Sequence, residues 1–288
     1  MAKDFQIVVT GASGFVAKNV RKYLSNHNVK LISISRKDFK KFKNEIKIVS
    51  KNYDSHTIIP KIKNFDGLIH LVGIGKQSAT SNYNLINVEF TKRIIDLCKK
   101  AKIKKIVYAS GLGVSKTTPL DYFISKYQAE NYIIDSNLNY TIFRPSYIVG
   151  KDDLFTKHLK KQIKKGEIII PGSGEYSIQP IYINDVSKII YKSLTDVKFN
   201  KKIIDLVGSK SISFENYVRL FSLNKTKIKK IDLEKAYHDA IINSNAEFGV
   251  DDLNLLIGDF KGNYKKLEKI SKIQLQSVME LLKSGSLL

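Results

Sequence analysis

The sequence predicts an α/β fold, a doubly wound parallel sheet with a smaller C-terminal α+β lobe. Three observations predict it. Short β-branched runs alternate with amphipathic stretches over the first half of the chain. A glycine-bearing turn, Gly11-x-x-Gly14-x-x-Ala17, lies directly between the first such run and the first amphipathic stretch. After Gly150 the regular alternation stops. Strands separated by helices pair through right-handed crossovers, which makes the sheet parallel.

The elements follow in order. Phe5 to Thr10 (FQIVVT) reads as a buried strand, after which Val16, Val20, Tyr23 and Leu24 recur at helical spacing. Val29 to Ser35 (VKLISIS) is a second strand, Glu45 to Val49 a weak third, and Gly67 to Val72 (GLIHLV) a fourth. Val88, Thr91, Ile94, Ile95 and Cys98 mark one face of a helix that leads to the strand Lys105 to Ala109. A helix from Asp121 to Asp135 precedes the strand Tyr140 to Phe143. Phe155 to Lys165 looks helical and is stopped by Ile168-Ile169-Ile170-Pro171-Gly172; short strands and helices follow without rhythm. Residues 1–150 are therefore expected to form one domain, which carries the glycine turn, and 151–288 a smaller lobe. No proline-rich or glycine-rich linker separates them, so the lobe reads as integral with the first.

Composition narrows the function classes. A chain of 288 residues, 43% hydrophobic, can bury a sizeable core. Its single cysteine, Cys98, allows no intramolecular disulfide, which agrees with a reducing cytoplasm. No signal peptide and no apolar run of membrane-spanning length is visible, so a cytoplasmic location is expected. The net charge is +22, but only five of the 49 basic residues are arginines, and the lysines spread along the whole chain. Lysine is a poor reader of base edges, so no specific nucleic-acid partner is expected, and solvated helix faces account for the charge. Attraction to a polyanion, a nucleotide diphosphate or an acidic membrane surface is the sharper alternative.

The turn at 11–17 carries chemistry. Gly11 permits a tight turn off a strand, Gly14 lets backbone approach a pyrophosphate, and Ala17 permits close helix–strand packing. The diphosphate would then meet the free N–H groups and positive dipole of a helix start. Strand, turn and helix in this order are Rossmann-type, and the expected ligand is a nicotinamide dinucleotide. At the tip of the second strand an acid would hold a ribose 2′-hydroxyl, but the sequence there reads Ser35-Arg36, with Asp38 beyond it. Arg36 could pair with a 2′-phosphate and Ser35 could hydrogen-bond it, which favours NADP(H) over NAD(H).

Tyr122 and Lys126 are four apart and share a helix face. An ammonium near the phenol, together with a positive nicotinamide, would lower the tyrosine pKa and let it exchange a proton with a hydroxyl or carbonyl. Frequency alone gives about two Tyr/Lys pairs at this spacing, and the chain has a second, Tyr147/Lys151. Position distinguishes them. Tyr122 opens the helix after the strand ending at Ala109, whereas Tyr147 sits in an extended run, so the first pair is taken as catalytic. Ser110, ending that strand, could hydrogen-bond a substrate oxygen or simply cap a turn. His70 reads as a satisfied core histidine, and the histidines and cysteine show no metal-ligand spacing.

These stretches resemble those of extended or atypical short-chain dehydrogenase/reductases. They are VTGASGFVA at 9–17, GLIHLV at 67–72, NVEFTKRIIDLCKKAKIKKIVYASGLGV at 87–114, YFISKYQAE at 122–130, YTIFRPSYIVG at 140–150 and IQPIYINDV at 178–186. The tail FGVDDLNLLIGDFKGNYKKLEKI at 248–270 is similar to the branch of the nucleotide-binding accessory subunit of respiratory complex I, near the nucleotide-sugar epimerases and dehydratases. The resemblance implies that Gly11, Ser13, Gly14, Phe15 and Val16 hold a pyrophosphate. It places Arg36 and Asn52 at the adenosine end, and Val72 and Gly73 along the cofactor. Lys126 would also hold the nicotinamide ribose, with Pro145 and Ser146 bordering the nicotinamide. One departure stands out: the family's catalytic serine or threonine is commonly second in a Ser-Ser pair, and here Ser110 is followed by Gly111.

Two functions are therefore expected. The first is an NAD(P)(H)-dependent oxidoreductase or epimerase/dehydratase acting on a hydroxyl or carbonyl of a small, nucleotide-sugar-like substrate. The alternative is a non-catalytic NADP(H)-binding sensor or assembly subunit, to which Gly111 and the tail point. Members of the family often pair through helices of the dinucleotide domain, so a homodimer is an expectation of the resemblance alone.

Overall fold

A computed structural model of the chain describes residues 5–78, 80–243 and 246–287. Seven parallel strands form the main sheet. In chain order they are β1 (Phe5–Thr10), β2 (Val29–Ser35), β3 (Glu45–Val49), β4 (Gly67–His70), β5 (Lys105–Ala109), β6 (Asn139–Pro145) and a last strand, Lys202–Leu206. From edge to edge the order is Lys202–Leu206, β6, β5, β4, β1, β2, β3. The chain leaves β1 toward β2 on one side and comes back as β4 on the other. The crevice at the carboxyl ends of β1 and β4 is therefore the topological switch point, where ligands bind in sheets of this kind.

Both faces of the sheet are covered, which is why its strands read as continuous apolar runs. Alternate residues face opposite sides. Val8, Ile32, Ile34, Leu68, Ile106, Tyr108 and Ile142 pack against helices α2 (Ser55–Ile62), α3 (Phe90–Lys100) and α4 (Asp121–Ile134). Ile7, Val9, Leu31, Ile69, Val107 and Phe143 pack against α1 (Phe15–Leu24) and the helix Ile183–Thr195. A third cluster, including Leu159, Ile168, Ile170, Phe214, Tyr217 and Phe221, forms the core of the part beyond Gly150.

Three features differ from the sequence reading. β4 ends at His70 rather than Val72, because the chain turns there past the Gly11 loop. α3 is preceded by a π-helical turn, Asn84–Glu89, which directs Asn87 inward. The chain also comes back to the main sheet after residue 150. Lys202–Leu206 pairs along the whole of β6, and Ile183–Thr195 packs beside α1. No helix among the described residues is long and apolar enough to cross a membrane.

Candidate functional site

The turn after β1 is built as a cradle. Gly11 has φ of +76°, and a Cβ there would lie 2.6 Å from the Leu71 carbonyl oxygen and 2.9 Å from the Val72 nitrogen. Only glycine fits both demands. Gly14 is the N-cap of α1 and brings no side chain to the cap, so the first-turn N–H groups of Phe15, Val16 and Ala17 point out from the loop. Val16 is half-buried, and Phe15 lies against Gly150, where a Cβ would come within 3.0 Å of the ring.

Two contacts behind the loop were not read from the sequence. The buried Arg21 guanidinium donates to the Ala12 carbonyl (2.6 Å), to Glu45 on β3 (2.5 and 2.9 Å) and to the Lys40 carbonyl (2.8 Å). Those donors hold the Glu45 carboxyl below its usual pKa although burial opposes ionisation. Tyr53 accepts a hydrogen bond from the Gly11 N–H at 3.2 Å, and burial pushes its hydroxyl up to about 12. Asn52, beside it, is exposed. In the sequence nothing separates Arg21 from the chain's other basic residues, and Tyr53 lies 42 residues from Gly11 in a loop without a pattern.

At the tip of β2, buried Ser35 donates to the exposed Ser13 hydroxyl (2.9 Å), which ties the strand to the loop. The Arg36 guanidinium lies over the Phe90 ring at 5.3 Å. Asp38 is exposed and bonded to Lys47 at 2.7 Å, which lowers its pKa. The strand tip itself carries Ser35 and Arg36 rather than an acid.

The other end of the crevice holds Tyr122 and Lys126. Lys126 is buried and donates to the Ala109 carbonyl (3.1 Å) and the Tyr108 hydroxyl (3.3 Å). Burial lowers its pKa to about 8, partly offset by Glu130 one turn on, itself locked by Arg144 at 2.6 and 3.0 Å. Gly73 faces it: a Cβ there would sit 2.8 Å from the Lys126 ammonium. Asn87 fixes this wall, bonding both backbone groups of Ile74 and donating to Ser125 on α4. The π-turn that places Asn87 has no plain signature in the sequence, which is why this residue went unread.

Tyr122 behaves differently from the sequence expectation. Its pKa is pushed up to about 12 by burial, not lowered. Lys126 stands 5.9 Å from its ring, with its hydrogen bonds directed at Ala109 and Tyr108, so in the free protein desolvation outweighs the lysine. Residue 111 faces the phenol: a Cβ on Gly111 would lie 3.3 Å from the Tyr122 hydroxyl. The neighbouring Ser110 hydroxyl is buried without a hydrogen-bond partner. Its N–H bonds the Phe143 carbonyl.

Tyr122 borders a cavity of about 170 Å³ that is also lined by Gly111, Pro145, Ser146, Tyr147 and Phe260. Tyr147, Leu255 and Leu256 form a shared wall with a second cavity of about 320 Å³, lined by Leu154, Phe155, His158, Phe214, Glu247, Phe248 and Asp252. Tyr147 thus reaches the site from an extended segment, and Lys151 is exposed beyond it. The helix Val250–Leu256 and Phe260, which packs edge-on to Phe123 at 5.0 Å, roof the first cavity. His70 bonds Thr10 and Thr91 and burial lowers its pKa to about 3, so it is neutral core. Among the described residues no group of three or more histidines, cysteines or carboxylates could hold a metal.

The cradle a Cβ would fill at Gly11, the open helix start and the Gly73–Lys126 gap fit a dinucleotide. Comparison with known proteins gives the family and the fold. A match to the NAD-dependent epimerase/dehydratase family covers residues 7–206. The mitochondrial NADH dehydrogenase [ubiquinone] 1 alpha subcomplex subunit 9 of Dictyostelium discoideum is 23% identical over 237 residues, 78% of this chain; the match spans 65% of that protein's own length. The N-acetyl-alpha-D-glucosaminyl-diphospho-ditrans,octacis-undecaprenol 4-epimerase of Escherichia coli O157:H7 is 24% identical over 76% of this chain and 72% of its own. Among solved structures, a UDP-N-acetylglucosamine 4-epimerase of Methanobrevibacter ruminantium M1, bound to UDP-N-acetylmuramic acid, superposes with a TM-score of 0.75 at 20% identity, over 98% of this chain and 97% of its own. At that identity the likeness speaks for the fold.

Proposed function

We propose that this chain, which belongs to the NAD-dependent epimerase/dehydratase family, is an NAD(P)(H)-dependent oxidoreductase or epimerase/dehydratase acting on a hydroxyl or carbonyl carbon of a nucleotide-sugar-like substrate. The observation that carries this reading is the convergence of Tyr122, buried Lys126 and Gly73 at the end of the crevice that begins at the Gly11 loop. In this reading Gly11, Ser13, Gly14, Phe15 and Val16 hold the pyrophosphate, and Ser35, Arg36 and Asn52 meet the adenosine end. Val72, Gly73, Pro145 and Ser146 line the nicotinamide side, and Lys126 binds its ribose. Bound there, the nicotinamide supplies or takes up a hydride. Tyr122 manages the proton: with its pKa near 12 the phenol begins protonated, as the donor to a substrate carbonyl oxygen. The reverse direction needs the phenolate, which a positive charge brought close to the hydroxyl would favour.

The test is Tyr122→Phe. The chain has no tryptophan, so emission from reduced cofactor is read against tyrosine alone. The variant should bind cofactor as before and lose about 10²–10⁴-fold in turnover on a UDP-sugar panel; unchanged turnover would overturn the assignment. For the cofactor we favour NADP(H), on Ser35, Arg36 and the absence of a carboxylate at the strand tip. Arg36→Leu should weaken NADPH relative to NADH by about tenfold or more, and an unchanged ratio would return Arg36 to the surface. A second reading, a subunit that holds the cofactor without turnover, is favoured by one observation. Glycine stands at the position facing the Tyr122 hydroxyl. Cofactor that stays bound and unchanged across the panel in the unaltered protein would select it.

A further inference from the structure

Helix Leu154–Lys164 lies at the edge of the second cavity and carries an unusual outer face. Leu154, Lys157, Lys161, Lys164 and the following Lys165 fall within about 100° of arc at 3.6 residues per turn. Thr156, Leu159 and Gln162 face the core on the other side. Leu154 lines the cavity and is nevertheless 84% exposed. Lys165 is paired with Glu247 at 3.1 Å, but Lys157, Lys161 and Lys164 make no ion pair among the described residues. Helix Leu233–Ile242, which packs on the roof helix and bonds it through Tyr237 and Asn254, ends in Ile241 and Ile242, 74% and 67% exposed. Five residues on, Glu247 and Phe248 join the wall of the same cavity, and Glu247 bridges back to Gln162 and Lys165. Beyond Lys165 the charge is balanced: on the strand Lys227–Ile231, which pairs with Glu167–Pro171, Lys227 and Lys229 stand against Glu167 and Lys230 against Glu215.

We propose that this face docks on an anionic phospholipid surface, with Leu154, Ile241 and Ile242 entering the headgroup region and Lys157, Lys161 and Lys164 beside them contacting lipid phosphates. Exposed branched aliphatic side chains are costly in water, and the lysines that share a helix face with Leu154 match an anionic interface rather than an apolar protein groove. The lysines bring charge and long flexible stems but not the planar fork of arginine, which suits a fluid field of phosphates more than a fixed ligand. Docking this way sets the rim of the second cavity against the bilayer. The proposal concerns the outer surface and stands whichever reaction the Tyr122 site performs.

The test is flotation of the full chain with vesicles of phosphatidylcholine alone and of phosphatidylcholine with phosphatidylglycerol. Binding should require the anionic lipid and fall with salt. Neutralising the stripe with K157Q/K161Q/K164Q should cost about fivefold per lysine, on the order of a hundredfold in all. L154S and I241S/I242S should weaken binding at unchanged charge, with unaltered circular dichroism. The control is K40Q/K41Q/K43Q, an equal loss of exposed charge beside the β3 edge of the sheet, which should bind almost as the unaltered protein does. Equal losses for the two triple variants would show general polycation behaviour and overturn the proposal. So would binding indifferent to Leu154, Ile241 and Ile242, or a stripe that single-stranded RNA occupies in preference to the vesicles.

Discussion

In a Lys126→Met variant a side chain of similar length and shape replaces the buried ammonium, and the structure sets the size of the result. Burial lowers the lysine from 10.5 to about 8, so keeping the charged form in the folded protein costs roughly 3 kcal/mol. Between those two values the unfolded chain keeps the proton that the folded chain has released, so stability rises with pH across that window. Below it both forms are protonated and the cost is fully present. Methionine removes that cost but leaves the Ala109 carbonyl and the Tyr108 hydroxyl without the lysine's hydrogen bonds, a loss of about 1–2 kcal/mol. Near neutral pH the variant should therefore be more stable by about 1–2 kcal/mol, a rise in Tm of about 2–8 °C. Around pH 10 the lysine of the unaltered protein is already neutral when folded, and the advantage should vanish or reverse. Thermal unfolding by circular dichroism at both pH values reads this, and cofactor fluorescence reads weakened dinucleotide binding in the same samples. A variant destabilised equally at both pH values would refute the reasoning, because the lysine would then be a structural residue without a desolvation cost. The expected trade, stability gained and binding lost, is typical of a residue kept for function.

Two further outcomes follow from the loop. Gly11→Ala places a Cβ 2.6 Å from the Leu71 carbonyl oxygen at a φ of +76°, so it should destabilise the protein by about 2–4 kcal/mol and abolish dinucleotide binding, as chemical denaturation and calorimetric titration would show. Arg21→Met leaves Glu45 buried without its partner and should cost about 3–5 kcal/mol near neutral pH. Because the Glu45 pKa is lowered in the folded protein, that penalty should shrink as pH falls through and below the ordinary carboxylate range, which an acid titration of unfolding would reveal.

Much of the frame could be read directly. β2, β3 and β5 have the limits their β-branched runs suggest, and α4 begins at Asp121 as expected and ends at Ile134, with Asp135 as its cap. A sheet buried on both faces writes itself as unbroken apolar runs, and that signal is local. The loop at 11–17 was legible for the same reason, since glycine at a fixed distance from a strand end is a local necessity. The last strand, Lys202–Leu206, was not legible. It pairs with β6 some 60 residues earlier in the chain, and its five residues carry no mark of that partner.

By itself the sequence determined the parallel α/β frame, the glycine turn between β1 and α1, the lack of an acid directly after β2 and the helical pairing of Tyr122 with Lys126. Each is a matter of neighbours in the chain, where backbone geometry and side-chain periodicity act over a few residues. Only the tertiary structure decided how those groups are charged. Tyr122 is raised and Lys126 lowered because burial withholds water from both, and burial depends on α4, β5 and the roof at Val250–Leu256 and Phe260 coming together from distant parts of the chain. The same assembly placed Tyr53 under Gly11, locked Arg21 onto Glu45, and set residue 111 rather than a serine hydroxyl against the Tyr122 phenol. Desolvation and long-range contact are properties of the packed chain, so no reading of spacing could have supplied them.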